Sequence, residues 1–168
     1  QASVFSNFKK AYEPRPFDIL EDKTSSVGFR TNVNYATQLF LMPIEFSFGT
    51  ELLTENYEFS LFKNLYQSQP GKGSIQGDEF SAINQSRNYS NYFLQMELWL
   101  TGKLHLEAGL AFNKTKYSLE DVFDKNSVAQ KTPFTFGSIW SPRMGLSYKV
   151  SNGKNMFIAV SKGFSVPA

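Results

Sequence analysis

The stretch SIWSPRMGLSYKVSNGKNMFIAVSKGF, residues 138–164, alternates. Trp140, Pro142, Met144, Leu146, Tyr148 and Val150 fall on one parity, and Ser141, Arg143, Gly145, Ser147 and Lys149 on the other. Successive strand residues point to opposite sides of a sheet, so this reads as a β-strand with one apolar and one polar face. Asn152-Gly153 then marks a tight hairpin, because both residues tolerate positive φ. A second alternating run returns from it. The apolar face must meet either a protein core or lipid.

The same pattern recurs along the chain. It predicts about seven strands, near 3–11, 25–36, 43–62, 88–100, 103–119, 134–150 and 155–164. Segments 12–23, 64–87 and 120–132 read as loops, from their polar, Pro- and Gly-bearing composition. One parity holds Val27, Phe29, Val33 and Tyr35; Ile44, Phe46, Phe48 and Leu52; Tyr92, Leu94, Met96 and Leu98; and Leu104, Leu106, Ala108, Leu110 and Phe112. None of these is charged. The opposite parity holds Arg30, Glu45, Glu51, Gln95, Glu97, Glu107, Arg143 and Lys149, with Gly28, Gly49, Gly109 and Gly145.

Composition narrows the class. The 168 residues suffice for one domain with a core. Lys and Arg number 17 against 15 Asp and Glu, with no basic cluster, which argues against nucleic-acid binding. With no Cys, disulfide frameworks and Cys-based metal sites are excluded. The longest apolar run, LFLMPI at 39–44, is far too short for a spanning helix, which needs roughly 20 residues. A spanning strand needs only about 9–11, with every second one apolar. No secretory signal opens the chain, so it reads as a mature protein or as a section of a longer one.

A soluble sandwich also has an uncharged inner face, so alternation alone leaves lipid and core open. Three features favour lipid. The runs are about 10–17 residues long, against about 5–6 in ordinary strands. Connections are short at one end of the sheet and long at the other, as in outer-membrane barrels. Aromatics flank the apolar stripe: Trp140 and Tyr148 share a face about 20 Å apart in height, near the apolar thickness of about 25 Å. Tyr92 and Tyr35 fall at corresponding upper and lower levels. The expected fold is all-β, an antiparallel up-and-down transmembrane β-barrel segment. The alternative is a soluble lipocalin-like or sandwich β-protein binding an apolar ligand.

At this point the residues resemble a known family. SPRMGLSYKV at 141–150, SKGFSVP at 161–167, YFLQMELWLTGKLHLEAGLAF at 92–112 and FGTELLTE at 48–55 resemble, in order and spacing, the barrel of TonB-dependent outer-membrane receptors, in particular the Bacteroidetes type. Such barrels have about 22 strands. The resemblance therefore implies that residues 1–168 are part of a larger barrel domain, with the plug domain lying outside this sequence. It implies a bacterial outer-membrane location and active uptake of a ferric siderophore or other scarce nutrient. The implied partners are outer-membrane lipid, the receptor's own plug and remaining strands, the TonB protein acting through the plug, and a small-molecule ligand. No enzymatic chemistry and no cofactor are expected. Alone, the open strand edges would leave backbone groups unpaired in lipid.

Candidate residues form three groups. Arg30, Glu45, Glu51, Gln95, Glu97 and Arg143 are expected to face the lumen, as salt bridges or plug contacts in preference to ligand contacts. Tyr66, Gln67, Lys72 and Phe80, with Asp121 and Phe123, are expected on extracellular loops that could catch a ligand, as do Gln69, Asp124 and Lys125. Tyr35, Tyr92, Trp140 and Tyr148 are expected in aromatic girdles at the membrane interfaces. His105, the sole histidine, reads as a lumen residue, because no Ser is tied to it by spacing and no Gly-x-Ser-x-Gly elbow is present. Pro-Gly-Lys-Gly at 70–73 lacks the spacing of a phosphate loop.

Overall fold

The computed structural model describes residues 1–68, 70–123 and 132–163. All its regular structure is strand: β1 (Ala2–Pro14), β2 (Asp18–Leu39), β3 (Met42–Asn64), β4 (Gln76–Trp99), β5 (Leu104–Asp121), β6 (Thr132–Thr135), β7 (Ile139–Ser151) and β8 (Lys154–Ser161). They form one antiparallel up-and-down sheet, ordered as in sequence from β1 to β8, with β6 on the edge of β5. No pairing joins β1 to β8 among the described residues, so the sheet is open, unlike a lipocalin cup.

The strands are longer than the sequence pattern suggests. β2, β3 and β4 run for 22, 23 and 24 residues. Such a strand tilted near 40° rises roughly 60 Å, more than twice an apolar band of about 25 Å. Two expected loops shrink accordingly. The first becomes the turn Arg15–Phe17, because Asp18–Lys23 pairs with β1 and β3. The second becomes residues 65–75, because 76–87 is strand paired to β3. The two faces do not contrast there: Ile19 and Leu20 fall on opposite faces and both are buried, and 76–87 mixes Ala82 and Ile83 with polar neighbours, so period-2 alternation is lost.

The expected strand 134–150 is instead two. Lys116 pairs with Thr135 of β6, and Asn113 pairs with Ile139 of β7, so one extra residue is inserted around Gly137. Such a bulge flips side-chain parity across it. Phe134 therefore lies opposite Tyr117 on the polar face, and Phe136 meets the Tyr117 ring edge-on at 5.5 Å between centroids. The eight strands thus replace the expected seven by dividing one of them.

The turns at the opposite end are tight. Asn152-Gly153 links β7 to β8, with Gly153 at φ 81°. Between β4 and β5, the Thr101 hydroxyl oxygen accepts from the N–H groups of Lys103 and Leu104. The β2–β3 turn is less expected. Phe40 and Leu41 both take positive φ, 50° and 67°, and both side chains are exposed. Gly or Asn usually fills these positions.

Register fixes the faces. Thr31, Thr50, Tyr92, Phe112 and Trp140 form one cross-strand row. Val33, Phe48, Leu94, Leu110 and Pro142 form the next, and Tyr35, Phe46, Met96, Ala108, Met144 and Val160 the one after. None of these side chains is buried, and Leu94, Trp140 and Val160 are exposed, with no second layer of described residues over them.

Candidate functional site

The opposite face gathers the charged residues. Arg30 pairs across to Glu51, and its guanidinium reaches the carboxylate at 2.8 and 2.9 Å. Phe5, on the neighbouring strand, lies 5.7 Å beneath that guanidinium, a cation–π contact. The Phe5 ring occupies the space where a Cβ at Gly28 would stand.

Glu45, Glu97 and Glu107 stand directly opposite one another on β3, β4 and β5. Like charges in that relation repel. The row above relieves them. Gln95 donates through Nε2 to Glu97 at 2.9 Å and to Glu107 at 3.2 Å. Arg143 bonds the Gln95 side-chain oxygen and reaches Glu107 at 3.2 Å. It can do so because its chain lies across Gly109, where an added Cβ would stand 2.7 Å from Arg143 Nε. His105 Nε2 stands 3.4 Å from Glu97, without hydrogen-bond alignment, and its ring packs 4.9 Å from Trp99.

All six residues expected to face the lumen therefore lie on one face. Arg30 and Glu51 form one pair, and Gln95, Glu97 and Arg143 one network. Glu45 faces Glu97 without a hydrogen bond or ion pair of its own among the described residues. The expectation missed Glu107 as the link between Gln95 and Arg143. It also missed the upper pair of Arg87 with Glu55 at 3.1 Å, because Arg87 lay in what read as loop while Glu55 lay in an expected strand. Asn113 and Thr115 are almost fully buried on this face, joined at 3.1 Å. Their shared parity was the available signal.

The expected loop residues divide. Tyr66, Gln67 and Lys72 lie on the 65–75 loop, where Gln67 Nε2 donates to the Tyr66 hydroxyl. Phe80 is in β4, at a bulge opposite Phe62, and Asp121 is the last residue of β5, so neither is on a loop. Phe123 follows directly, its N–H bonded to the Asp121 carboxylate. Gln69, Asp124 and Lys125, like Phe164 and Pro167, lie outside the described residues. At the β1–β2 turn, hydrogen bonds and charge from Arg15 hold the Glu13 carboxyl below its usual range.

On the apolar face, Tyr92 and Trp140 share a row, bridged by the Phe112 ring at 6.4 and 4.7 Å. Tyr148 and Tyr35 lie below it along their strands. Among the described residues no group of His, Asp and Glu could hold a metal ion. Among the described residues no helix is long and apolar enough to cross a membrane, which says nothing about strands.

A family model for the "TonB dependent receptor-like, beta-barrel" matches residues 3–168. No curated protein matches in sequence. Among solved structures, the unliganded ferric citrate transporter FecA aligns over 95% of this chain and 23% of its own, at TM-score 0.72 and 11% identity. The ferripyoverdine receptor of the Pseudomonas aeruginosa outer membrane, bound to ferripyoverdine, aligns over 94% and 23%, at TM-score 0.72 and 12% identity. The alcaligin outer-membrane receptor FauA of Bordetella pertussis aligns over 94% and 24%, at TM-score 0.70 and 11% identity. The chain thus spans less than a quarter of each of these. At such identity the likeness carries the fold.

Proposed function

Because the chain belongs to the TonB-dependent receptor β-barrel family, we propose that it forms part of the barrel wall of a bacterial outer-membrane receptor for active uptake of a scarce nutrient, in the first instance a ferric siderophore. The observation that carries this reading is the sorting of the two faces. From β2 to β7, the face below the Thr31–Trp140 row bears no charge, and apart from the buried Ile44 and Leu98 its side chains are exposed or half-buried among the described residues, while the other face carries a connected polar network. A soluble protein would leave such an apolar face in water at large cost.

In this reading the apolar face meets lipid, with Tyr92 and Trp140 toward its upper edge and Tyr148 toward its lower one, while Tyr35 shares the row of Met96 and Met144. The network of Gln95, Glu97, Glu107 and Arg143 lines the lumen. Glu45 and the outer side of Glu97 are then available to a plug domain, which would transmit energy from the TonB protein. Tyr66, Gln67, Lys72 and Phe123 stand at the extracellular end and contribute to ligand capture. The neighbours' ligands, ferric citrate and ferripyoverdine, support ferric chelates as the first class to try. The barrel moves its cargo without chemical change.

The test is location first and transport second. Peptides from 88–112 and 139–161 should appear in detergent-extracted outer membrane, in a polypeptide several times larger than 19.1 kDa. Deleting the gene should abolish uncoupler-sensitive uptake of one ferric chelate. Recovery of those peptides from a soluble 19.1 kDa monomer would overturn the reading.

A further inference from the structure

The upper limit of the apolar face does not follow one register row. Followed upward, its large apolar residues give way to polar and charged ones after Trp140 on β7, Phe112 on β5 and Tyr92 on β4, which share a row. On β3 the change comes after Leu52, one same-face position above that row. On β2 it comes after Val27, two above, and on β1 after Phe8, three above. Leu52, Val27 and Phe8 are all exposed. The charges climb in the same direction. The first met above the apolar residues is Lys162 on β8, one position below the row, and Lys114 on β5, one above it. On β3, β2 and β1 it is Glu58, Lys23 and Lys10, each four above.

Strand tilt accounts for this drift. Strands stand about 4.8 Å apart, so at a tilt near 40° a level plane shifts by about 4 Å along the chain, or about 1.2 residues, from each strand to the next. Five spacings separate β7 from β1. The shift across them is about 20 Å, or about six residues, which is three same-face positions. That is the offset between Trp140 and Phe8. The lower edge drifts alike. Val27 and Tyr35 are eight residues apart on β2, as are Trp140 and Tyr148 on β7. Tyr35 shares the row of Met144, two same-face positions above Tyr148. Over the four spacings from β7 to β2 the expected shift is about five residues, so the two tyrosines come to one depth.

We propose that the membrane surfaces cut this sheet obliquely, the outer one along Phe8, Val27, Leu52, Tyr92 and Trp140 and the inner one along Tyr35 and Tyr148. Val4, Phe8, Val27, Phe29 and Leu52 then belong to the lipid contact. The inference rests on the membrane-barrel reading above. The partner it names is the hydrocarbon interior of the bilayer, whatever headgroups the outer leaflet carries. Lys114 and Lys116 share the rows of Phe29 and Val27, yet stand in water, because β5 reaches the surface at a lower row than β2. A protein covering β1–β3 would account for the exposed apolar residues there, but not for the matching offset of Tyr35 from Tyr148. Interfacial tyrosine at one depth follows from lipid alone.

The test uses the full-length receptor, freed of cysteine, in phosphatidylcholine vesicles, with a nitroxide on one introduced cysteine at a time. Collisions with oxygen, which dissolves in hydrocarbon, and with a water-soluble nickel chelate give the depth of each label. Val27→Cys and Lys116→Cys share a row, yet the first should sit about 9 Å deeper, in hydrocarbon, and the second in water. Tyr35→Cys and Tyr148→Cys should lie within about 3 Å of one depth. Hydroxyl-radical footprinting needs no variant: it should spare Phe8 and mark Tyr12, the exposed ring four residues above it on the same face. Equal depths at Val27 and Lys116, Tyr35 nearer the midplane than Tyr148 by about 13 Å, or equal marking of Phe8 and Tyr12 overturns this inference and leaves the receptor reading intact. Labels at Leu94 and Met144 that read as water overturn both.

Discussion

The lower and upper halves of β2–β5 share strands, register and sheet, yet differ on one face: charge is absent below and frequent above, where only Val27, Phe29 and Leu52 continue the large apolar residues just past the boundary. Below the Thr31–Thr50–Tyr92–Phe112 row that face is Val33, Tyr35, Phe46, Phe48, Leu94 and Leu110. Above it, the same face carries Lys23, Glu58, Asn84, Lys114, Lys116 and Glu120. Backbone hydrogen bonding is the same in both, so the ladder does not choose these residues. The surrounding solvent does: a strand leaving lipid for water keeps its pairing and exchanges its side chains. The difference also explains the sequence reading. Strands were legible where one face was apolar and the other polar, and were missed at 18–23 and 76–87, where the two faces do not contrast.

The largest test sets the two halves against each other. Met96→Arg, four residues below Tyr92 along β4, should destabilise the inserted barrel by about 2–4 kcal/mol, the cost of a cation toward the middle of the apolar band. Asn84→Arg, on the same face of the same strand, should change it by less than about 0.5 kcal/mol. Reversible denaturant unfolding in phospholipid vesicles would measure both. Equal costs would mean that the boundary drawn at Tyr92 is wrong.

A second test concerns the crowding of the polar face. A Cβ at Gly49 would lie 2.2 Å from the Thr31 carbonyl oxygen and 2.8 Å from the Phe93 ring. Backbone cannot step aside as a side chain can, so Gly49→Val should cost about 1–3 kcal/mol in the same assay. Gly109→Ala meets only the flexible Arg143 chain and should cost less. The reverse order would show that the Arg143 network is the stiffer of the two.

The smallest effect is expected at the lower turn. Replacing Phe40-Leu41 by Asn-Gly suits the positive φ of both positions and should stabilise the hairpin by about 1 kcal/mol. An unchanged unfolding midpoint would mean that the exposed Phe40 and Leu41 side chains make up the difference through contacts of their own.

The sequence by itself determined the strand class, the lower turns at Thr101-Gly102-Lys103 and Asn152-Gly153, and the two faces of the lower sheet. It could do so because period-2 contrast and turn chemistry are local. It also placed Arg30 with Glu51, and Gln95 with Glu97 and Arg143, on one face, since parity needs no partner strand. Only the tertiary structure decided which residues meet across strands. Register makes Gln95 the bridge between Glu97 and Glu107, and lays Arg143 over Gly109. It also decided that 76–87 is strand, because pairing to β3 supplies what the pattern lacks. The bulge near Gly137 shows the reason most plainly. Simple alternation carries Phe134 and Phe136 to the side of Trp140, yet one inserted residue, measurable only against β5, turns Phe134 inward to face Tyr117. Register is a relation between strands distant in sequence, and no single strand contains it.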